Sequence, residues 1–232
     1  MTALIYSWLF SLLAPLGIVF GVSLFLGFRG YKQQKNERYS VLTMFPQELY
    51  DGKDPMRVSA RLFLYVYALV DAIAAAYPLF IGTLPQGLIP LGIVYLGFII
   101  LRDVTLVAIT HVPAYEFKPH LLSFTCFGGF GVMGMVLSCI LFANQMAFHQ
   151  TLAITFMVLS GIVGIAEFAL LANPRLGHWT KLNATVDAEG NVDTSRPKPF
   201  VLAFTEWLLI FLALAGTLIT VLGGALLGLA SM

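Results

Sequence analysis

A small set of ionisable side chains stands within long apolar stretches of this sequence, and their chemistry most needs an explanation. Arg102 and Asp103 are adjacent in GFIILRDVTLVAITHV, residues 97–112. One guanidinium among several carboxylates can form a buried ion pair, or it can line a path for a proton, an ion or a charged substrate. The carboxylates in the other apolar stretches are Asp71, Glu167 and Glu206.

The composition indicates that these residues lie inside a membrane. Of the 232 residues, 59% are hydrophobic and only 11% are charged, and the mean hydropathy is +0.86. Soluble domains carry about 25% charged residues. The net charge of +1 gives no reason to expect a nucleic-acid partner. Cys126 and Cys139 fall in one apolar segment, where a straight helix would hold them about 20 Å apart, so we expect neither a disulfide nor a metal site from them.

Six segments are long and apolar enough to span a bilayer, which takes about 20 residues each. The sequence therefore predicts an all-α, polytopic transmembrane bundle of six helices that forms a single domain over residues 1–232. We interpret the first segment as a retained span rather than a signal peptide, because no basic residue precedes it. The predicted spans are 3–28, 61–81, 88–110, 121–143, 151–173 and 200–230.

The connections between the spans alternate in charge. Residues 82–87 and 144–150 contain no Lys, Arg, Asp or Glu. Twelve of the 13 Lys and Arg residues lie in or beside the three longer connections, and the exception is Arg102. The positive-inside rule then predicts that these three loops are cytoplasmic and that both termini lie on the other side. The three longer connections are 29–60, 111–120 and 174–199.

The last of these loops contains TVDAEGNVDT, residues 185–194. Apolar residues flank a Gly-Asn pair in this segment, as in a small β-hairpin. A plain linker is the alternative interpretation.

Depth in the membrane follows from a helical rise of about 1.5 Å per residue. By this measure Asp71 lies about 15 Å from the cytoplasmic end of the second span, and Arg102 lies about 12 Å from the cytoplasmic end of the third. Glu167 and Glu206 lie about 9 Å deep by the same measure. We expect Arg102 to pair with Asp71 or Glu167, and Asp103, which is about 100° around the helix, to face elsewhere. The interpretations left open are a polar lock between helices, an Arg102 that extends to the interface, and a proton, ion or substrate path.

Small residues recur every fourth position in the last span, at Gly216, Thr220, Gly224 and Gly228. Such a face permits close approach of another helix. The neighbour is either a helix of the same chain or another membrane subunit, including a second copy.

Four basic residues directly follow the first span, namely Arg29, Lys32, Lys35 and Arg38. They are candidates for contact with anionic lipid head groups. Control of topology alone is the other explanation.

The four histidines, His111, His120, His149 and His178, all lie in loops or at span ends, which does not favour haem ligation within the bundle. A metal site from three of them with Glu116 lacks a compact ligand motif. The sequence also contains no phosphate-binding, dinucleotide-binding or hydrolase fingerprint. We therefore predict no catalytic residues, no metal and no cofactor, and we leave open a lipid or a pigment held between the helices.

Three segments resemble the DRAM/Frag1/Sfk1 group of six-span membrane proteins and its bacterial relatives. They are AFTEWLLIFLALAG (203–216), LGHWTKL (176–182) and FKPHLLSFTCFGGFGVMGM (117–135). The resemblance implies a longer first loop, a Glu-Trp pair at Glu206 and Trp207, and a lipid-linked or membrane-organising role. It also implies cytoplasmic termini, which conflicts with the distribution of basic residues.

These observations favour a non-enzymatic integral membrane protein that acts as a subunit of a membrane assembly or organises lipid. Its partners would be the bilayer and, through the last span, other membrane subunits or itself. The first alternative is a small transporter or channel with a polar path at Asp71, Arg102 and Glu167. The second is a membrane enzyme acting on lipid at the cytoplasmic face, where His111 and His178 would converge with acidic residues.

Overall fold

A computed structural model shows a bundle of six membrane-length helices, which confirms the all-α fold predicted from the sequence. Each of the six is long and apolar enough to cross a membrane, so the chain is an integral, multi-pass membrane protein. The structure describes residues 2–80, 84, 86–112, 117–147, 149–174, 176, 184–186, 192–194 and 200–230.

The helices follow one another through connections that alternate between longer and shorter. Two single turns of 3-10 helix, at Pro46–Leu49 and Gln86–Leu88, precede α2 and α3. The helices are α1 (Thr2–Lys35), α2 (Pro55–Phe80), α3 (Ile89–Ile109), α4 (Phe117–Ala143), α5 (Gln150–Leu171) and α6 (Val201–Ala230).

The first two helices are longer than the apolar runs that predicted them. α1 continues to Lys35 instead of residue 28, and α2 begins at Pro55 instead of residue 61. Backbone hydrogen bonding continues through polar and basic residues at a helix end, where their long side chains reach water. The predicted loop 29–60 is correspondingly shorter, and its irregular part is 36–54.

One end of the bundle carries all three longer connections, and we call it the basic end. A contact between Gln47, His120 and Glu206 joins the α1–α2 connection, the start of α4 and the start of α6 at this end. Within 36–54, the side chains of Phe45, Leu49 and Tyr50 are buried. This connection therefore packs into the bundle and closes its basic end.

α6 lies at the centre of the packing, because it contacts α1, α2, α4 and α5. Large apolar side chains face outward on the surrounding helices, with Ile18 63%, Leu122 66% and Ile165 71% exposed. Such a surface suits contact with lipid chains rather than water.

The described ends of the segment 184–194 pair as two short strands, in agreement with the β-hairpin interpretation. β1 (Ala184–Val186) pairs antiparallel with β2 (Val192–Thr194), and Val186 lies opposite Val192. The described part of the chain is otherwise helical or irregular.

Candidate functional site

The charged pair of α3 lies at the middle of a polar cluster, which we call the triad: Asp71, Arg102 and Asp103. Arg102 Nη2 donates to Asp71 Oδ2 of α2, so the pair favoured by the sequence analysis forms. Asp103 Oδ1 accepts from Arg102 Nε at 3.1 Å and from Nη2 at 3.0 Å. All three residues are at most 3% exposed.

α6 completes the surroundings of the guanidinium. Arg102 Nη1 donates to the carbonyl oxygen of Ala213 at 3.3 Å, and Nη2 donates to Thr217 Oγ1 at 3.2 Å. The Thr217 hydroxyl in turn donates to Asp71 Oδ2 at 3.3 Å. The triad therefore fixes α2, α3 and α6 to one another through directional contacts.

The expectation that Asp103 faces away from Arg102 is wrong. Neighbouring Cα–Cβ vectors do diverge by about 100° on a helix. The arginine side chain is long enough to curl back toward the next residue, and its guanidinium presents donors on two edges. Arg102 thus contacts carboxylates on two helices at once.

The triad contains more acceptor than donor capacity. It has one guanidinium and two carboxyl groups, and Asp71 Oδ1 and Asp103 Oδ2 are buried without a hydrogen-bond partner among the described residues. A buried acceptor without a donor is unfavourable, so this cluster would be stabilised by a proton or an added cationic donor.

Glu167 lies outside the triad, although the sequence made it one of two candidate partners for Arg102. Its carboxylate lies beside Gly131 of α4, where an added Cβ would be 3.1 Å from each oxygen. No ion pair with Arg102 exists among the described residues, and Oε2 has no partner there. The reason is position in the bundle, because α5 packs against α4 and α6, whereas Arg102 points toward α2 and α6.

Glu206 also lies apart from the triad, in a second polar group that we call the basic-end cluster: Gln47, His120 and Glu206. His120 Nε2 is 2.6 Å from Glu206 Oε1, and Gln47 Nε2 is 3.0 Å from His120 Nδ1. The contacts suit an imidazole that donates from Nε2 to the carboxylate and accepts from the amide at Nδ1. The three side chains are at most 2% exposed.

Sequence reasoning missed this partner of Glu206, although a signal was present. His120 is close to the start of α4, and Glu206 is close to the start of α6. Both helices begin at the basic end, so the two residues lie at similar depth. Gln47 offered no such signal, because its position depends on how the connection 36–54 folds.

Trp207, next to Glu206, holds the same connection. Its indole nitrogen donates to the carbonyl of Met44 at 3.1 Å and to the hydroxyl of Tyr39 at 3.2 Å. Burial raises the pKa of the Tyr39 hydroxyl well above its usual value, and burial raises the pKa of Tyr50 to about 12. The Glu-Trp pair therefore ties the α1–α2 connection to the last helix.

A small cavity of about 20 Å³ lies beneath this connection. Its wall is mainly apolar, with Phe20, Leu64 and Phe124 among the lining residues, and Gln47 and Glu206 are at its polar side. The volume is enough for about one water molecule. The cavity is too small to hold an organic substrate.

The two larger clefts open on the sides of the bundle. One, of about 330 Å³, lies between α4 and α5 and is lined by residues that include Val136, Cys139 and Gly161. The other, of about 260 Å³, lies between α2 and α3, and Asp103 is part of its lining. Both are surrounded by the outward apolar surface.

The small-residue face of α6 is used inside the chain. Gly216, Thr220, Gly224 and Gly228 are all buried. A Cβ on Gly216 would lie 2.8 Å from Met135 of α4, so Gly216 packs closely against α4 within the chain. Of the two kinds of neighbour considered, a helix of the same chain is present here, because Met135 and Ser138 of α4 meet Gly216 and Thr220. A contact of the last span with other membrane subunits stays a prediction.

Hydroxyl groups also join α4, α5 and α6 beside this small-residue face. Ser138 Oγ of α4 lies 3.0 Å from Ser160 Oγ of α5 and 2.9 Å from Thr220 Oγ1 of α6. These three residues are buried. They form a hydrogen-bonded bridge that complements the close helix packing.

The basic residues that follow the first span, Arg29, Lys32, Lys35 and Arg38, are exposed at the basic end. Their side chains are available to head groups, and no contact in the described residues occupies them as ion pairs.

Of the other histidines, His111 is exposed and its Nε2 lies 2.6 Å from the hydroxyl of Tyr65. His178 and Glu116, which the sequence analysis considered as metal ligands, lie outside the described residues. Within the part of the chain that is described, no group of three or more His, Cys, Asp or Glu side chains could hold a metal ion.

Comparison of the chain with protein-family models, with curated proteins and with solved structures finds no match.

Proposed function

We propose that this chain is a non-enzymatic integral membrane protein that organises lipid by holding lipid chains in its lateral clefts. The main support for the proposal is that the polar clusters of the protein are closed off, whereas its larger clefts are apolar and open. Arg102 and His120 are closed off within the bundle and bonded to acidic neighbours. The two larger clefts are apolar and open sideways, where the bilayer would be.

The orientation we propose places the basic end in the cytoplasm. Twelve of the 13 Lys and Arg residues lie at the longer connections, and the positive-inside rule places such loops in the cytoplasm. The exposed residues Arg29, Lys32, Lys35 and Arg38 would then meet the anionic head groups of the inner leaflet. A membrane-organising role of this kind is also what the resemblance to the DRAM/Frag1/Sfk1 group implies.

The test is lipid retention in the cleft between α4 and α5. Gly161 lines this cleft, and a Cβ there would meet only Cys139 Sγ at 3.8 Å, so a larger side chain can enter without a clash at its base. We expect Gly161→Leu to lose at least half of the lipid that remains bound after purification in mild detergent. Native mass spectrometry measures the number and class of lipids retained.

Gly97→Leu provides the matched control. Gly97 is also a helical glycine, and a Cβ there would meet nothing within 4 Å. It should retain the wild-type lipids. Equal retention by the wild type and both variants, or no retained lipid at all, would contradict the proposal.

A second candidate function, proton- or ion-coupled transport, is favoured by one observation. The triad has two carboxyl groups for one guanidinium, and one oxygen of each carboxyl lacks a partner among the described residues. Proteoliposomes that carry a pH gradient would test it. Flux that depends on Asp71 and is lost in Asp71→Asn would favour transport over lipid organisation.

A further inference from the structure

The groove between α2 and α3 combines an apolar wall with one ionisable residue. Ala68 and Ala72 line it from α2, and Ile100 and Val104 line it from α3. Asp103 is the single ionisable residue among the described residues of the lining. The small α2 side chains leave the width for a linear chain, and the cleft volume is about 260 Å³.

Asp103, which is part of the lining of this groove, has one carboxyl oxygen without a hydrogen-bond partner among the described residues. The residue is 3% exposed, and its Oδ1 is bonded to Arg102. Its Oδ2 is buried with no hydrogen-bond partner among the described residues. Such an atom needs a donor, and Asp103 is the residue through which the triad borders the lining of the groove.

The charge of the triad specifies the kind of donor. Two carboxyl groups face one guanidinium, so the cluster has an excess negative charge when both are ionised. A carboxylate or phosphate group at Asp103 would be repelled. An alcohol would donate a hydrogen bond but leave the charge, whereas a protonated amine supplies both the donor and the positive charge.

The position of Asp103 along α3 also suits a ligand with a protonated amine. Asp103 is six residues from the end of α3 at Ile109, or about 9 Å from the basic end. An amphiphile can place a polar group at that depth and lay its chain toward Ile100, which lies deeper in the bundle.

We propose that the α2–α3 groove binds a membrane-dissolved amphiphile with a protonated amine, which donates to Asp103 Oδ2 while its alkyl chain lies along the groove. This inference rests on the proposed lipid-organising function, of which it names a ligand class. The site is separate from the α4–α5 cleft, so the two proposals can fail independently.

The test uses three photo-crosslinking probes of equal chain length, each with a diazirine on the chain and an amine, a hydroxyl or a carboxylate at its end. The full-length protein in phosphatidylcholine nanodiscs is labelled at pH 7, and peptide mapping locates the sites. We expect saturable labelling of the α2–α3 segments by the amine probe, with at least tenfold less labelling by the other two.

Two variants test the contact and the groove separately. Asp103→Asn keeps the shape of the side chain and should raise the half-saturating concentration of the amine probe at least tenfold. Ala72→Phe fills the groove without replacing a triad residue and should abolish labelling there. Glu167→Gln, which changes another buried carboxylate away from the groove, should label as the wild type does.

Equal labelling by the three probes would overturn the inference, because it would show that only the alkyl chain is recognised. Saturable amine labelling that survives both Asp103→Asn and Ala72→Phe would overturn it as well. If lipid is retained in the α4–α5 cleft but the amine probe does not label the groove, this inference fails and the proposed function stands. If the α4–α5 test fails while the groove is labelled specifically, the proposed function must be revised.

Discussion

The triad and the basic-end cluster are both buried, both polar and both bonded to α6, yet they hold different parts of the molecule. The triad joins α2, α3 and α6 within the bundle. The basic-end cluster joins α4 and α6 to the short turn Pro46–Leu49. The first therefore links helices, whereas the second fastens a connection over the end of the helices.

The two groups also differ in the basic side chain that each contains. The guanidinium of Arg102 stays charged under all ordinary conditions, so the triad always needs its carboxylates. The imidazole of His120 presents one ring nitrogen to each neighbour, and the contacts suit Gln47 as the donor and Glu206 as the acceptor. Burial is tolerated at the triad through compensation of charge, and at the basic end through hydrogen bonds to both ring nitrogens of His120. Gln47 Oε1 in that cluster has no partner among the described residues.

The largest effect is expected from removing the guanidinium in Arg102→Met. Asp71 and Asp103 would remain buried without their cation, and breaking a buried ion pair costs about 3–5 kcal/mol. We expect the free energy of unfolding in mixed micelles to fall by that amount. Titration with a denaturing detergent, followed by circular dichroism, measures it.

A triple variant shows whether charge is the cause. Adding Asp71→Asn and Asp103→Asn to Arg102→Met removes the uncompensated carboxylates and should recover much of the loss. Arg38→Met, at an exposed position, should unfold as the wild type does. A single Arg102→Met variant of wild-type stability would show that the triad does not hold the helices together.

The next effect concerns the connection at the basic end and appears at alkaline pH. The pKa of Tyr50 is raised by burial to about 12 in the folded protein, and the unfolded chain ionises near pH 10. Burial of the neutral Tyr50 hydroxyl therefore leaves the free energy of unfolding unchanged below pH 10. As the pH rises from 10 to 12, the free energy of unfolding falls by about 2–3 kcal/mol. Unfolding free energies at pH 9 and pH 12 measure the change.

Tyr50→Phe should reduce this pH dependence without abolishing it, because burial also raises the pKa of Tyr39. Absorbance of tyrosinate near 295 nm identifies the ionising groups. An unchanged pH dependence in Tyr50→Phe would show that Tyr50 is not buried in the folded protein.

A smaller effect is expected when the basic-end cluster loses its charge but keeps its shape. Glu206→Gln retains an acceptor for His120 and loses only the charge-assisted part of the hydrogen bond, about 1 kcal/mol. The connection 36–54 should open more often, so trypsin should cleave at the exposed Lys53 several times faster. Glu37→Gln, an exposed change beside the same connection, should leave the cleavage rate unchanged. A Glu206→Gln effect as large as that of Arg102→Met would remove the distinction between the two clusters.

The smallest effect is expected at the hydroxyl bridge between α4, α5 and α6. Thr220→Val keeps the volume and removes the contact with Ser138 at 2.9 Å. Hydrogen bonds between transmembrane helices contribute about 0.6 kcal/mol on average. Gly216→Leu on the same face should cost several times more, because Met135 occupies the space of its Cβ. A reversed order in the measured unfolding free energies would show that polar contacts, rather than close packing, hold this face.

The amino-acid sequence alone determined the number of spans, the alternation of the connections and the burial of the ionisable residues. Each depends on local composition: an apolar run long enough for a bilayer, the Lys and Arg content of a loop, and the cost of a charge at depth. The pairing of Arg102 with Asp71 could also be predicted from the sequence, because both residues lie deep in their spans and a lone buried cation needs a carboxylate.

Which of these groups meet depends on the tertiary structure. It turned Arg102 back onto Asp103, separated Glu167 and Glu206 from the triad, and covered the glycine face of α6 with α4 and α5. It also brought Gln47 and His120 to Glu206 by folding the connection 36–54 into the bundle. The physical reason is that depth follows from position along one helix, whereas contact depends on the rotation and neighbours of every helix, which are set by packing across the whole chain.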